Sequence, residues 1–185
     1  MGVGGVPGVG KSHLIQSFAR CSANGDTALT GSSVIKSVIA PATLREFKDW
    51  PEAQQFEARF AAIAELRKMR DESAGSLIVD VHFTLRNAPS ALPTCVFNAA
   101  DRSFYDALVL VEAPSETIVA WRDSDTRRRD VETRNEVEEH LLAERAEFLR
   151  QAEMMGVPHL LIREASLDER LKAFGAFLTS VRGAV

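Results

Sequence analysis

Brief, uninterrupted apolar runs separated by amphipathic stretches organise this chain. Leu77-Ile78-Val79, residues 107–111 (ALVLV) and residues 159–162 are such runs, and Asp80 closes the first. The first two predict strands buried in a parallel sheet, and the last predicts a third apolar strand. Residues 27–30 predict a further short strand after the turn Asn24-Gly25-Asp26. The stretches between the runs carry helical spacing. Residues 11–23 place Leu14, Ile15 and Phe18 on one side, and a short helix starts at Gly31-Ser32-Ser33 and ends near Ala40. Pro51 suits the first position of a long helix, which Phe56, Phe60, Ile63 and Met69 or Arg70 continue until Ala74-Gly75. Residues 85–104 read as irregular, and Pro114-Ser115-Glu116 opens another helix. Thr133 with Glu136, and Ser166 with Glu169, have capping-box spacing. The helices they start show the stripes Val137, Leu141, Phe148, Ala152, Met155 and Leu167, Leu171, Phe174, Leu178, Val181.

Strands alternating with helices predict an α/β fold with a parallel sheet. Ligands of such sheets bind at the carboxyl ends of the strands. A glycine-rich loop at residues 5–12, Asp80, and the segment after Val111 all fall at such ends.

Composition narrows the class. The chain has 185 residues, is 45% hydrophobic and 26% charged, and carries a formal net charge of −4. This suits one globular domain, residues 1–185, and argues against a non-specific nucleic-acid binder. Cys21 and Cys95 lack metal-ligand spacing, so a reducing, cytoplasmic setting is the simpler expectation. No apolar stretch predicts a membrane span or a secretory signal.

The chemistry starts at Gly5-Val6-Pro7-Gly8-Val9-Gly10-Lys11-Ser12, a full G-x-x-x-x-G-K-[ST] phosphate loop. Glycines let backbone N–H groups turn inward onto phosphate oxygens, and the helix beginning at Lys11 adds its positive end. Lys11 is expected on the β- and γ-phosphates of ATP, Ser12 on Mg2+, and His13 completes the nucleotide-binding stretch. Only Met1 to Gly4 precede the loop, and Gly2 and Gly4 are poor strand residues. The expectation is either a start further upstream or a weakened central strand of low thermal stability.

Asp80, at a strand end, is the second expected magnesium residue. His82 is expected to position a substrate rather than act as a base, because an acceptor phosphate oxygen is already anionic. Arg86 suits either an acceptor phosphate or the surface. Arg122, Arg127, Arg128 and Arg129 lie among Asp123, Asp125 and Asp130. That stretch reads as a self-paired loop or as a lid over phosphates. Planar, permanently charged guanidinium groups suit phosphate, which favours the lid.

GVPGVGKS, IVDVHFTL and RDSDTRRRDVET with its following EEH together resemble archaeal-type adenylate kinases, in order and over almost the whole chain. The resemblance implies a P-loop NTPase of three α/β/α layers with a five-stranded parallel sheet. It implies a monophosphate-binding helical segment at 31–72 and a lid at 122–133. Lys11, Arg127 and Arg129 would be catalytic. Lys48, His82, Thr84, Arg86 and Arg145 would bind substrate. Members of that family can be trimeric, so a homo-oligomer is compatible. Val81, Phe83 and Lys48 depart from the family pattern near the acceptor pocket, and His13 departs beside the loop. Three functions fit these residues: an AMP kinase, a kinase of the same fold for another nucleotide or small acceptor, and a nucleotide-binding or ATPase protein without kinase activity.

Overall fold

The computed structural model describes residues 1–86, 91–124 and 132–183. Five parallel strands form the central sheet: β1 (Gly2–Gly4), β2 (Thr27–Thr30), β3 (Leu77–Asp80), β6 (Leu108–Val111) and β7 (His159–Ile162). Their order is β2-β3-β1-β6-β7, so β1 sits in the middle, between β3 and β6. A small antiparallel ladder, β4 (Thr84–Leu85) with β5 (Thr94–Cys95), lies outside it.

The helices are α1 (Lys11–Cys21), α2 (Gly31–Ile39), α3 (Leu44–Lys48), α4 (Glu52–Glu72), α5 (Ala99–Arg102), α6 (Ser115–Ser124), α7 (Arg134–Met155) and α8 (Leu167–Arg182). Strand residues alternate between two cores, as the period-two pleat requires. Val3, Ile78, Val109 and Val111 meet Leu14, Ile15, Phe174 and Leu178 of α1 and α8. Leu77, Val79, Leu108 and Leu110 meet Val34, Ala62, Ile63, Leu66 and Phe148 of α2, α4 and α7. The result is three layers with helices on both faces. No helix among the described residues is long and apolar enough to cross a membrane.

Both capping boxes form as the spacing predicts, at Thr133 with Glu136 and at Ser166 with Glu169. Two readings need correction. Residues 85–104 are not wholly irregular, since Thr94–Cys95 pairs with Thr84–Leu85 and Asn98 caps a short helix. The buried face of α4 is Ala58, Ala62, Ile63 and Leu66, whereas Phe56 and Phe60 are 47% and 60% exposed. Small alanines carry little hydrophobic signal, so the two phenylalanines dominate the periodicity and set the wrong phase.

The central strand explains its own glycines. A Cβ on Gly4 would fall within the Phe83 ring, and one on Gly2 would press on Tyr105 and Leu108. The rings fill the space that strand side chains would otherwise occupy. Phe83 is fully buried, 4.9 Å from the Phe97 ring and 5.4 Å from Phe148. It belongs to the core rather than to an acceptor pocket. β1 therefore packs one face through Val3 and the other through borrowed aromatic rings.

Candidate active site

The carboxyl ends of β1, β3 and β2 open into a cavity of about 620 Å3. Its wall includes Pro7, Gly8, Gly10, Lys11, Ser12 and His13 from the glycine-rich loop and the start of α1, and Thr30, Ser32, Asp80 and His82 from the neighbouring strand ends. The strand order places this opening where the chain leaves β1 toward one side and later returns on the other, the usual ligand position in an open α/β sheet.

α1 begins after Gly10, which has φ +94°, and no side chain caps the helix. The helix therefore presents backbone N–H groups at its N-terminus, the physical requirement for holding phosphate. The Lys11 Nζ donates to the Gly5 carbonyl at 2.6 Å and lies 3.6 Å from Asp80 Oδ1. The Ser12 hydroxyl donates to Asp80 Oδ2 at 2.5 Å. Lysine, hydroxyl and carboxylate from two distant parts of the chain thus share one corner of the cavity. Ser12 and Asp80 are hard oxygen donors, which suit Mg2+ completed by water and phosphate oxygens.

His82 lines the cavity, and its Nδ1 is buried with no hydrogen-bond partner among the described residues. Burial, then the nearby positive Lys11, holds its imidazole well below the usual histidine pKa. It is neutral at pH 7 and available as a hydrogen-bonding group.

Three side chains from distant helices hold the loop in place, and of these the sequence singles out Arg122 alone, as part of the arginine-rich stretch. Glu144 of α7 is buried, and its Oε1 accepts from Gly5 N at 3.1 Å and from Phe83 N at 3.1 Å. Its Oε2 accepts from Thr84 N at 2.6 Å and from the Thr84 hydroxyl at 2.5 Å. One carboxylate thus binds the first loop residue to the segment after β3. Arg122 donates to the Pro7 carbonyl through Nε at 2.9 Å and Nη2 at 2.6 Å, and pairs with Glu132. Arg170 donates to Val9 O at 3.1 Å. For Glu144 and Arg170 the only sequence signal is charge inside amphipathic helices, which ordinarily means a solvated face.

The other expected substrate residues are placed elsewhere. Thr84 is buried against Glu144. The Arg86 side chain is tucked in too, within 3.3 Å of Glu132 and donating to the Glu136 carbonyl at 2.8 Å. Lys48 ends α3 in solvent. Arg145 makes a two-point pair with Glu112, 2.6 and 2.8 Å, at a separate cavity of about 450 Å3. None of these four lines the cavity beside the glycine-rich loop. Arg127 and Arg129 lie outside the described residues.

A family model described as AAA domain matches residues 4–138, which run from β1 through the loop and Asp80 into α7. The chain belongs to the AAA domain family. Two curated relatives are named adenylate kinase. One, from Methanopyrus kandleri, is 29% identical and the match covers 96% of this chain and 95% of that protein. The other, from Methanothermobacter thermautotrophicus, is 26% identical and the match covers 87% and 88%. The resemblance read from the three sequence stretches thus extends over nearly the whole length. Among solved structures, shikimate kinase from Bacteroides thetaiotaomicron aligns with a TM-score of 0.61 at 14% identity, covering 96% of this chain and 97% of that one. At that identity the likeness concerns the fold, which is that of a P-loop kinase.

Proposed function

We propose that this AAA-domain protein is a nucleoside monophosphate kinase of the adenylate kinase type, moving the γ-phosphoryl group of ATP to AMP and yielding two ADP. The observation that carries the reading is the meeting of Lys11, Ser12 and Asp80 at the uncapped start of α1. The two adenylate kinase relatives, matched along nearly all of the chain, support the reaction class.

In this reading the loop N–H groups and Lys11 bind the triphosphate and offset charge as it shifts onto the bridging oxygen. Ser12 and Asp80 would hold Mg2+, which supplies charge neutralisation on the phosphates when bound. The acceptor phosphate oxygen forms a bond to the γ-phosphorus while the bond to the β-bridging oxygen breaks. The acceptor oxygen is already anionic at pH 7, and the bridging oxygen leaves as an anion of ADP, so no protein base is required. His82, Thr30 and Ser32 form the polar wall toward the acceptor. Residues 31–72 are proposed as the monophosphate-binding segment and 122–133 as the lid, with Arg127 and Arg129 on the transferring group.

The placement of Lys48, Thr84, Arg86 and Arg145 away from the cavity favours keeping a second acceptor in view. A coupled assay of ADP formation with ATP and Mg2+ tests both readings, adding AMP, GMP, CMP, UMP and dAMP separately beside a control without acceptor. AMP-dependent turnover is expected. Turnover with a different acceptor alone would move the substrate, and hydrolysis independent of acceptor would remove the kinase reading.

A further inference from the structure

Two arginines far apart in the chain meet on one carboxylate. Glu132 lies just before α7 and divides its oxygens between them. Its Oε1 is 3.3 Å from Arg86 Nε, a contact of opposite charges, and its Oε2 accepts from Arg122 Nη1. The side chains of Arg86, Glu132 and Arg122 are only 6%, 11% and 9% exposed. Salt and water screen charges in such positions far less than on a surface.

Arg122 is engaged along its whole guanidinium edge. Nε and Nη2 both donate to the Pro7 carbonyl, at 2.9 and 2.6 Å, while Nη1 serves Glu132. Its aliphatic stem lies against Gly8, where an added Cβ would come 2.9 Å from Arg122 Cγ. Arg86 is anchored in turn. It donates to the carbonyls of Ala91 and Glu136 and pairs with Glu139 at 3.2 Å. A continuous line of contacts thus runs from the segment after β3, through Glu132 and Arg122, to the phosphate loop.

The end of that line matters for phosphate. The Pro7 carbonyl and the Gly8 N–H belong to one planar trans peptide unit, so they point in opposite directions. Pinning the oxygen on Arg122 therefore fixes the direction of the N–H, and Gly8 lines the cavity. A donor held in advance binds its acceptor without first losing freedom.

We propose that Glu132 is a positioning residue for the donor phosphates, with Arg86 steadying it and Arg122 carrying its effect to the Pro7–Gly8 peptide. The proposal rests on the reading of the cavity as a triphosphate site. It gives Arg86 a duty toward the phosphate loop, so a substrate that drew Arg86 away would loosen the donor grip as well.

The test measures binding of tripolyphosphate and of ATP, each with Mg2+, by calorimetry on the full chain. The variants are Glu132→Gln, Arg86→Gln, Arg122→Gln and the double variant Glu132→Gln/Arg122→Gln. Glu132→Gln is expected to lose about tenfold or more in affinity for both ligands alike, the scale of one charged hydrogen bond. Arg86→Gln should weaken both in the same direction and by less. The double variant should bind no more weakly than Arg122→Gln alone, because Glu132 acts through Arg122. Glu132→Asp keeps the charge on a shorter arm and serves if the glutamine variant fails to fold, with an affinity between wild type and Arg122→Gln. A purely structural role would lower the melting temperature and leave the affinity of the folded protein unchanged, which would overturn the proposal. Tighter binding by Glu132→Gln would overturn it too, since Glu132 would then be holding Arg122 back from the phosphates. So would additive losses in the double variant, or an Arg86→Gln variant that binds tripolyphosphate like wild type. Wild-type protein that binds neither ligand would remove the triphosphate reading and the proposal together, whereas wild-type binding with unaltered variants would remove the proposal alone.

Discussion

On the donor side of the cavity, Lys11, Ser12 and Asp80 converge, and Glu144, Arg122 and Arg170 fix the loop backbone around them. The residues proposed for the acceptor lie outside that cavity: Arg86 is paired with Glu132, Thr84 with Glu144 and Arg145 with Glu112, while Lys48 is exposed. The difference follows from how each half is built. Donor contacts use backbone groups of one contiguous loop, which strand β1 and helix α1 position together. Acceptor contacts would have to come from side chains scattered over several elements, and Arg86, Thr84 and Arg145 already have carboxylate partners. In the proposed reading, the fold pre-organises triphosphate binding and leaves acceptor recognition to side chains that must exchange partners.

The largest effect should come from the donor corner. Lys11→Ala is expected to lower kcat by about 10²–10³-fold or more, the scale for removing one preorganised charge-stabilising group. The melting temperature should fall little by comparison. A variant that keeps its turnover would place the chemistry elsewhere and dissolve the contrast between the halves.

Glu144 joins the halves, so its loss should strike stability. Glu144→Ala leaves the N–H groups of Gly5, Phe83 and Thr84 buried without their acceptor. The cost should be about 3 kcal/mol or more at roughly 1–3 kcal/mol for each stranded group. Urea unfolding measures it, and a loss under about 1 kcal/mol would mean that water or a shifted α7 replaces the carboxylate.

A smaller effect is expected where an acceptor-motif residue serves the donor strand. Gly4→Ala should cost about 1–3 kcal/mol, because its methyl group meets the Phe83 ring. Phe83→Leu should recover part of that loss in the double variant, and a double-mutant cycle reads the coupling. Strictly additive effects would show that the two residues do not share the space.

The smallest effect concerns pH. His140 is buried beside Thr84, and burial holds its pKa below the usual histidine value despite the raising influence of Glu144. The folded protein therefore binds this proton less readily than the unfolded chain. Its contribution is intact above about pH 6.5, the unfolded value, and is lost as pH falls through the folded pKa. Unfolding free energy should decline from pH 7.5 toward 5.5, and His140→Gln should flatten the decline. An unchanged slope would assign the acid sensitivity to other groups, His82 among them.

Much of the donor half is legible in the sequence itself. The loop motif is local, so eight consecutive residues determine both its backbone turns and the helix that follows. Strand ends are equally local, which is why Asp80 stands out. The capping boxes at Thr133 and Ser166 are visible for the same reason, since their partners lie three residues apart. The buried face of α4 is misread because alanine is nearly silent in a hydrophobic pattern, and only contact with α2 and the sheet shows that small residues sit inside. Glu144 and Arg170 escape a sequence reading too, and Arg122 reads there as part of a lid rather than as a tie to the Pro7 carbonyl. A charged or aromatic residue on an amphipathic helix looks the same in sequence whether it meets water or a carbonyl more than a hundred residues away.

The sequence alone determined the alternation of the main strands and helices, the parallel sheet, the phosphate loop and the carboxylate that faces it, because each is encoded by near neighbours. Only the tertiary structure decided that Phe83 fills the space of Gly4 and that Glu144 staples the loop to the segment after β3. It also decided that Arg86 and Arg145 meet carboxylates before any substrate. Those outcomes depend on which surfaces the sheet brings within a few ångströms, and linear spacing carries no record of that.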